Sequence, residues 1–386
     1  MKMQIALPAR VLKFRPSPVA VVLVALMAIG LVVAMARFAF GIGAISNLSN
    51  TYPWGFWISF DIYTGIAISS GAYLLAAAVY IFDLRDLRPL LMPSILTALI
   101  GYFMEVLALM VDLGRPERIF NMLFFQNYTS HMLIVGLCVM IYLAILSVEF
   151  GPVVLRGVKK PQWAAILRRF VKPVVILGVV VSTIHQGSLG SLLLIQSAKL
   201  HPLWWTPLLP VMFFVSSVSI GLAMIIFESS MSSRHFSGQF LETHLLAKLA
   251  KAIPVSVGIY AVLKFGQLII SGNARFLFGS GVLSVLFWAE IILGVLIPGI
   301  LFVIPRNRKS PRVLLLGAVM LLVGMILNRF NVSWFGIQRL QDVGYSPSLP
   351  EISVSVAIFS FGILAFGLAA RYLPVFQDAD SVAAKS

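Results

Sequence analysis

Ten stretches of the chain are each apolar for about twenty residues, the length an α-helix needs to cross a hydrocarbon layer ~30 Å thick. They run roughly over 18–38, 55–82, 90–112, 131–151, 172–197, 205–228, 250–271, 281–304, 311–329 and 351–373. The 386 residues are 60% hydrophobic and 11% charged, whereas soluble domains carry about 25% charged residues. The sequence therefore predicts an all-α integral membrane protein of about ten transmembrane helices. The first run follows Lys2, Arg10, Lys13 and Arg15 and resembles a leader, with "AMA" at 34–36 as a cleavage site. It is longer than a signal core of about 7–15 residues, so it reads as the first span.

A net charge of +15 would suggest nucleic acid in a soluble chain. Here it reads as orientation, because Lys and Arg accumulate in cytoplasmic loops. With the N-terminus inside, 21 Lys and Arg fall on that side and six on the other, Arg115, Arg118, Lys199, Arg275, Arg329 and Arg339. The expectation is a bacterial cytoplasmic (inner) membrane protein with both termini cytoplasmic, in contact with membrane lipid and with no nucleic-acid partner. The predicted units are a cytoplasmic segment 1–17, a transmembrane domain 18–373 and a cytoplasmic tail 374–386. Within the domain, 18–52 holds the first span and its outer loop, and 351–373 the last span.

Charge inside a membrane is costly and marks function by default. Asp61, Glu105, His185, Lys264 and Glu290 all fall within apolar runs. Helical spacing gathers them into stripes. Trp54, Trp57 and Asp61 share one face, Tyr102, Glu105 and Asp112 a second, and Ser182, His185, Gln186 and Leu189 a third. Three such faces turned inward would make a pocket with flat apolar walls and a few hydrogen-bonding groups, which suits a quinone headgroup. Quinone reduction also needs titratable groups nearby to supply two protons. Each residue has a structural reading too. Asp61 could bond backbone amides or pair with Arg115, Glu105 could pair with Lys264, and His185 could bond a neighbouring helix. Glu149 and Glu228 sit at cytoplasmic helix ends, as solvated charge or as the mouth of a proton path.

The single cysteine, Cys138, cannot hold an iron–sulfur cluster or a disulfide framework. His185 is the only histidine deep in a span, so no bis-histidine haem is expected. No phosphate loop or metal-spaced His/Cys cluster occurs.

The stretches "YPWGFWISFDIYTGIAISSGAYLLAAAVYIF", "DLGRPERIFNMLF", "HQGSLGSLLLIQSAKLHPLWWTPLLPVMFF", "FES" at 227–229 and "ARYLPVF" resemble the polysulfide reductase/NrfD family of membrane subunits. The ten-span branch matches best, with its HybB-type subunits of nickel–iron hydrogenases and DsrP-type subunits of sulfite-linked complexes. The resemblance covers about residues 15–375. It implies two four-helix bundles, here 53–197 and 205–330, plus terminal helices. It implies no haem or iron–sulfur cluster in the chain and a bound quinone (menaquinone or ubiquinone) near the outer face. The implied partners are a periplasmic ferredoxin-like iron–sulfur subunit and a hydrogenase, multihaem cytochrome or sulfur-linked enzyme. Mapped onto this sequence, the quinone site would comprise Trp54, Trp57, Asp61, Glu105, His131, His185 and Gln186, with Asp61 and His185 exchanging protons. A proton path would use Asp112, Glu149, Glu228, Lys264 and Glu290. One departure stands out: the fourth span, "HMLIVGLCVMIYLAILSVEF", has no acid before Glu149. The alternative function is an autonomous proton-coupled transporter, which buried Asp, Glu, Lys and His would also suit.

Overall fold

The computed structural model describes residues 17–50, 52, 54–125, 127–195, 199–235, 242–337 and 344–376. The N-terminal segment up to residue 16, the tail from 377 and loop residues 338–343, Arg339 among them, lie outside the described residues.

Ten long helices are present among the described residues. They are α1 (Pro18–Phe40), α2 (Ile58–Ile81), α3 (Arg85–Asp112), α4 (His131–Gly157), α5 (Pro161–Leu194), α6 (Leu209–His235), α7 (Thr243–Ile270), α8 (Val282–Val303), α9 (Pro311–Phe335) and α10 (Leu349–Tyr372). The described residues form no β-strand, only one isolated bridge between Leu200 and Ile337. Nine of the helices, all but α5, are long and apolar enough to cross a membrane. The sequence puts the fifth span at 172–197, yet α5 starts at Pro161 and runs 34 residues. At 1.5 Å per residue that is about 51 Å, longer than a hydrocarbon core. Pro161 at the first helical position and the helix-forming "QWAAILRR" behind it explain the early start.

Helix ends follow local chemistry. Ser17 caps α1 by accepting from Ala20 N at 3.2 Å, and Gly41 ends it at φ 88°. Ser348 and Glu351 form a reciprocal capping box on α10. Helix α2 contains two π-helical stretches, Ile58–Thr64 and Ala77–Ile81. Two more lie in α8 (Ile292–Leu296) and α9 (Asn331–Phe335).

Helix α2 packs on α3, α5, α6 and α9, while α4 pairs with α5, and α6 with α7 and α9. Helices α1 and α10 lie together and α10 contacts α3. Burial follows this order: 72% of the apolar window of α2 is enclosed against 6% of α1. Close crossings need small residues. A Cβ at Gly324 in α9 would collide with the Gly294 backbone in α8, and one at Gly30 in α1 with the Ala357 side chain in α10.

One loop assignment is corrected. Arg329, counted as an outer-loop cation, is 1% exposed inside α9, which continues to Phe335. The asymmetry in loop charge keeps its sign without it. The Gly294–Gly324 crossing is backbone on backbone and cannot relax by a rotamer change. Gly324→Leu should cost at least about 1–3 kcal/mol and lower the thermal midpoint in detergent, whereas Gly266→Ala, which meets open space, should not. Fluorescence-detected size exclusion after heating measures both.

Candidate functional site

The buried polar residues form three groups with different degrees of hydrogen-bond satisfaction.

The first lies where α2, α3 and α10 converge. Asp61 sits in the first π-helical stretch of α2, 9% exposed, and accepts a hydrogen bond from Ser355 Oγ of α10 at 2.7 Å. Among the described residues it bonds neither Arg115, which is exposed, nor a backbone amide. Asp112, half-buried at the end of α3, is within electrostatic reach of Asp61, Arg37 and Glu351. Arg37 of α1 donates from Nε to Val111 O at 2.6 Å and from Nη2 to Leu113 O. It thus covers the carbonyl end of α3, where a cation is favoured. Glu351 is fully buried and accepts from Asn47 N at 2.8 Å, Ser348 N at 3.2 Å and the Tyr345 hydroxyl. Trp57 Nε1 donates to Glu351 O at 3.0 Å, and Phe56 N donates to Tyr345 Oη at 2.9 Å. Burial and the Glu351 carboxylate raise the Tyr345 phenol above its ordinary value, so it stays protonated. These bonds tie the loop before α2 to the start of α10.

The second group fills the space between α2, α3, α4 and α5. His185 Nδ1 and the Tyr102 hydroxyl are 2.9 Å apart, and the Tyr102 and Tyr142 rings lie 4.8 Å apart. Gln186 Nε2 donates to Ile66 O of α2 at 3.1 Å. Much is left unsatisfied here. Both oxygens of Glu105, His185 Nε2 and Gln186 Oε1 are buried with no hydrogen-bond partner. Buried polar atoms are nearly always bonded, and each orphan costs about 1–3 kcal/mol. A concentration of them marks a place for water or a polar ligand. Toward the other end, Glu149 lies against Gly178 of α5, where an added Cβ would come within 3.4 Å of Oε1. Glu228 of α6 bonds the Thr97 side chain and leaves Oε1 unpartnered.

The third group joins α6 to α9. Glu290 Oε2 accepts from Trp204 Nε1 at 2.9 Å and Asn331 Nδ2 at 2.8 Å, while Oε1 accepts from Asn328 Nδ2 at 2.8 Å and Tyr260 Oη at 3.2 Å. Lys264 Nζ is 3.9 Å from Oε1. Lys264 therefore faces Glu290, not Glu105. Arg329 bonds Asn328 Oδ1 at 3.2 Å and Ser216 Oγ at 2.8 Å, and its guanidinium lies 3.9 Å from the Phe213 ring centre.

The residues predicted for one pocket thus fall in two groups. Trp57 and Asp61 belong to the first, and Glu105, His185 and Gln186 to the second. Trp54 is half-buried against the apolar core, and His131 opens α4, half-buried. Among the described residues no hydrogen bond joins His131 to Asp61, Glu105 or His185. Within the predicted proton path, Lys264 and Glu290 adjoin, while Glu228 contacts Thr97 instead. Sequence reasoning missed Arg37, Tyr260, Asn328, Arg329, Asn331, Glu351 and Ser355. Glu351 had a readable signal, the Ser-x-x-Glu capping pattern at 348–351. No group of three or more His, Cys, Asp or Glu suited to a metal occurs among the described residues.

Comparison with known proteins matches this architecture to one family. The family described as polysulphide reductase, NrfD, matches residues 44–341. A Nitratidesulfovibrio vulgaris protein is 36% identical over 92% of this chain and 93% of its own length. The "probable Ni/Fe-hydrogenase 2 b-type cytochrome subunit" of Escherichia coli K12 is 31% identical, covering 91% of this chain and 90% of its own. The "menaquinone reductase, integral membrane subunit" of N. vulgaris is 26% identical, with 91% and 90% covered. The chain is a multi-pass membrane protein and belongs to the polysulphide reductase NrfD family.

Proposed function

We propose that this chain is the quinone-binding membrane subunit of a respiratory oxidoreductase complex. It exchanges electrons between a periplasmic iron–sulfur subunit and the membrane quinone pool, with coupled proton transfer. The observation that carries the reading is the set of unpartnered polar atoms on Glu105, His185 and Gln186, with Asp61 on α2, which packs on the helices α3 and α5 that bear them. Relatives that include a menaquinone reductase membrane subunit and a hydrogenase subunit support the class. In this reading α5 is a tenth span, both termini are cytoplasmic, and α2–α5 and α6–α9 are two four-helix bundles flanked by α1 and α10. A catalytic hydrogenase, reductase or cytochrome completes the complex.

Reducing a quinone takes up two electrons and two protons. The chain supplies the proton chemistry. Asp61, bonded by one hydroxyl, and His185, with a free Nε2, are the groups for proton exchange at the ring oxygens. Tyr102 fixes the orientation of the imidazole through Nδ1. Glu105, Glu149 and Glu228 are buried carboxyls without a cationic partner among the described residues. They are the candidates for moving protons inward. A bis-histidine b-type haem needs two histidines facing each other inside the bundle, and His185 is the only deep one among the described residues.

Asp61→Asn keeps an acceptor for Ser355 but cannot carry a proton. It and His185→Gln should each lower quinone-linked turnover of the intact complex about a hundredfold or more, with little change in thermal midpoint. Two unaffected turnovers would refute these roles. Glu290→Ala should do the reverse at the level of folding. It strands two buried cations and four donors, so folded yield should collapse, consistent with a cost of about 3–5 kcal/mol. Mild-detergent purification from the native membrane, with mass spectrometry of what accompanies the chain, tests the assembly. An iron–sulfur subunit should co-purify; a chain that purifies alone and moves a solute in proteoliposomes would be a transporter instead.

A further inference from the structure

Helix α5 is longer than the layer it crosses when taken as a tenth span. Its 34 residues extend about 51 Å, whereas hydrocarbon and headgroups together measure about 40–45 Å. Lys172 and Pro173 mark a division within it. Residues 161–172, on the N-terminal side, form an extension fixed to the end of α4. Ala164 and Val171 are buried, and a Cβ at Gly151 of α4 would meet the Leu167 side chain. Pro173 has no N–H to offer the Arg169 carbonyl, so the helix bends most easily at that junction.

The extension does not look like a helix standing in water. Trp163, Ile166 and Phe170 follow one another at spacings of three and four residues and are 62%, 48% and 56% exposed. Leu177 and Ile184, each half exposed, come next at intervals of seven on the same face. The face that meets lipid along the span therefore continues, still apolar, through the extension. Trp163 stands nine residues before Lys172, about 13 Å along the axis. A straight helix along the membrane normal would carry its ring past the headgroups into water. A helix leaning at Pro173 keeps the ring in the interface, where tryptophan is favoured.

The same stretch is strongly basic. Arg156, Lys159, Lys160, Arg168, Arg169 and Lys172 lie in it, and the chain has no Asp or Glu between Glu149 and Glu228. All but Arg156 are exposed. Among the described residues none of these cations makes an ion pair. Arg156 and Arg168 are within electrostatic reach of each other, so their repulsion is unrelieved. Arg168 and Lys172, one turn apart, share a face away from the apolar stripe. Exposed aromatic rings next to unpaired cations suit an anionic lipid surface. An acidic soluble partner would balance the charge, but it would not account for a stripe continuous with the lipid-facing side of the span.

We propose that residues 156–172 rest on anionic phospholipid headgroups. Trp163, Ile166 and Phe170 enter the boundary between headgroups and acyl chains, and the cations hold the lipid phosphates. The proposal rests on α5 being a tenth span and is independent of the quinone site.

Two measurements on the full chain test it. In the first, Trp163→Cys and Leu177→Cys, each in a Cys138→Ala background, carry a nitroxide label in liposomes containing phosphatidylglycerol. Membrane-dissolved oxygen should relax both labels, and an aqueous nickel chelate should reach neither freely. A label at 163 open to the chelate, or shielded from both reagents by protein, overturns the proposal while leaving the span in place. A label at 177 open to the chelate shows instead that α5 is not a span, and the proposal falls with that reading. In the second, phosphatidylglycerol or phosphatidylcholine is titrated into the delipidated chain in neutral detergent and the thermal midpoint is followed. Phosphatidylglycerol should raise it saturably, and phosphatidylcholine should do so far less. Half-saturation should move to at least about fivefold higher concentration in Arg168→Gln/Arg169→Gln/Lys172→Gln, whose exposed side chains make no ion pair to lose. It should stay within about twofold in Arg306→Gln/Lys309→Gln, exposed cations before α9. Equal response to the two lipids, or an equal shift in the two variants, overturns the proposal.

Discussion

A buried charge in a low-dielectric interior must find its partners within the chain, and Glu290 shows how many helices that can require. Its carboxylate collects donors from Trp204 before α6, Tyr260 on α7, and Asn328 and Asn331 on α9. No pair of helices could satisfy it alone. The same bonds therefore fix the relative rotation of the helices that contribute them. Arg329 extends the constraint to α6 through Ser216 and Phe213. From α9 the restraint passes to α2, because Ser333 Oγ donates to Ser59 Oγ at 2.8 Å. Both serines lie in or beside a π-helical stretch. A widened turn leaves backbone groups and side chains aimed differently from an α-helix, and such turns recur at functional sites. Here one of them carries Asp61.

The space between α2 and α5 is built on the opposite principle. There the polar atoms outnumber their partners, and Glu105 has none for either oxygen. A saturated cluster resists change of charge, since each state change breaks bonds to several helices. An unsaturated one can accept a proton, a water or a ligand and gain bonds by doing so. The contrast divides the molecule into a region whose hydrogen bonds set helix geometry and a region whose buried polar atoms are left without partners. It also explains why the N-terminal end of α2 needs a brace. Trp57, Tyr345 and Glu351 hold the loop before α2 against α10, so Asp61 meets Ser355 without help from a cation.

Much of this was readable beforehand. Apolar length located nine candidate spans, because an α-helix satisfies its own backbone over twenty residues in lipid. Helical spacing gathered Tyr102 with Glu105, and His185 with Gln186, onto common faces. What spacing cannot give is azimuth between helices. Depth alone made Lys264 a plausible partner for Glu105, yet the rotation of α7 turns it to Glu290. Arg329 was lost differently. Counting apolar residues ends a span at the first charge, and only Asn328, Ser216 and Phe213, brought together by three-dimensional packing, show why the helix can continue through an arginine.

The absence of an acid before Glu149 in α4 can be understood in the same terms. A carboxyl need not come from a particular helix to serve a space enclosed by four. Glu105 reaches that space from α3 and stands two helical turns from Asp112 on nearly the same face, about 10 Å along the axis. Asp112 in turn is within electrostatic reach of Asp61. A line of carboxyls thus runs along α3 away from the group that holds Asp61, with Tyr102 and His185 beside it. In a proton-handling site the spacing of exchangeable groups matters more than which helix bears each one.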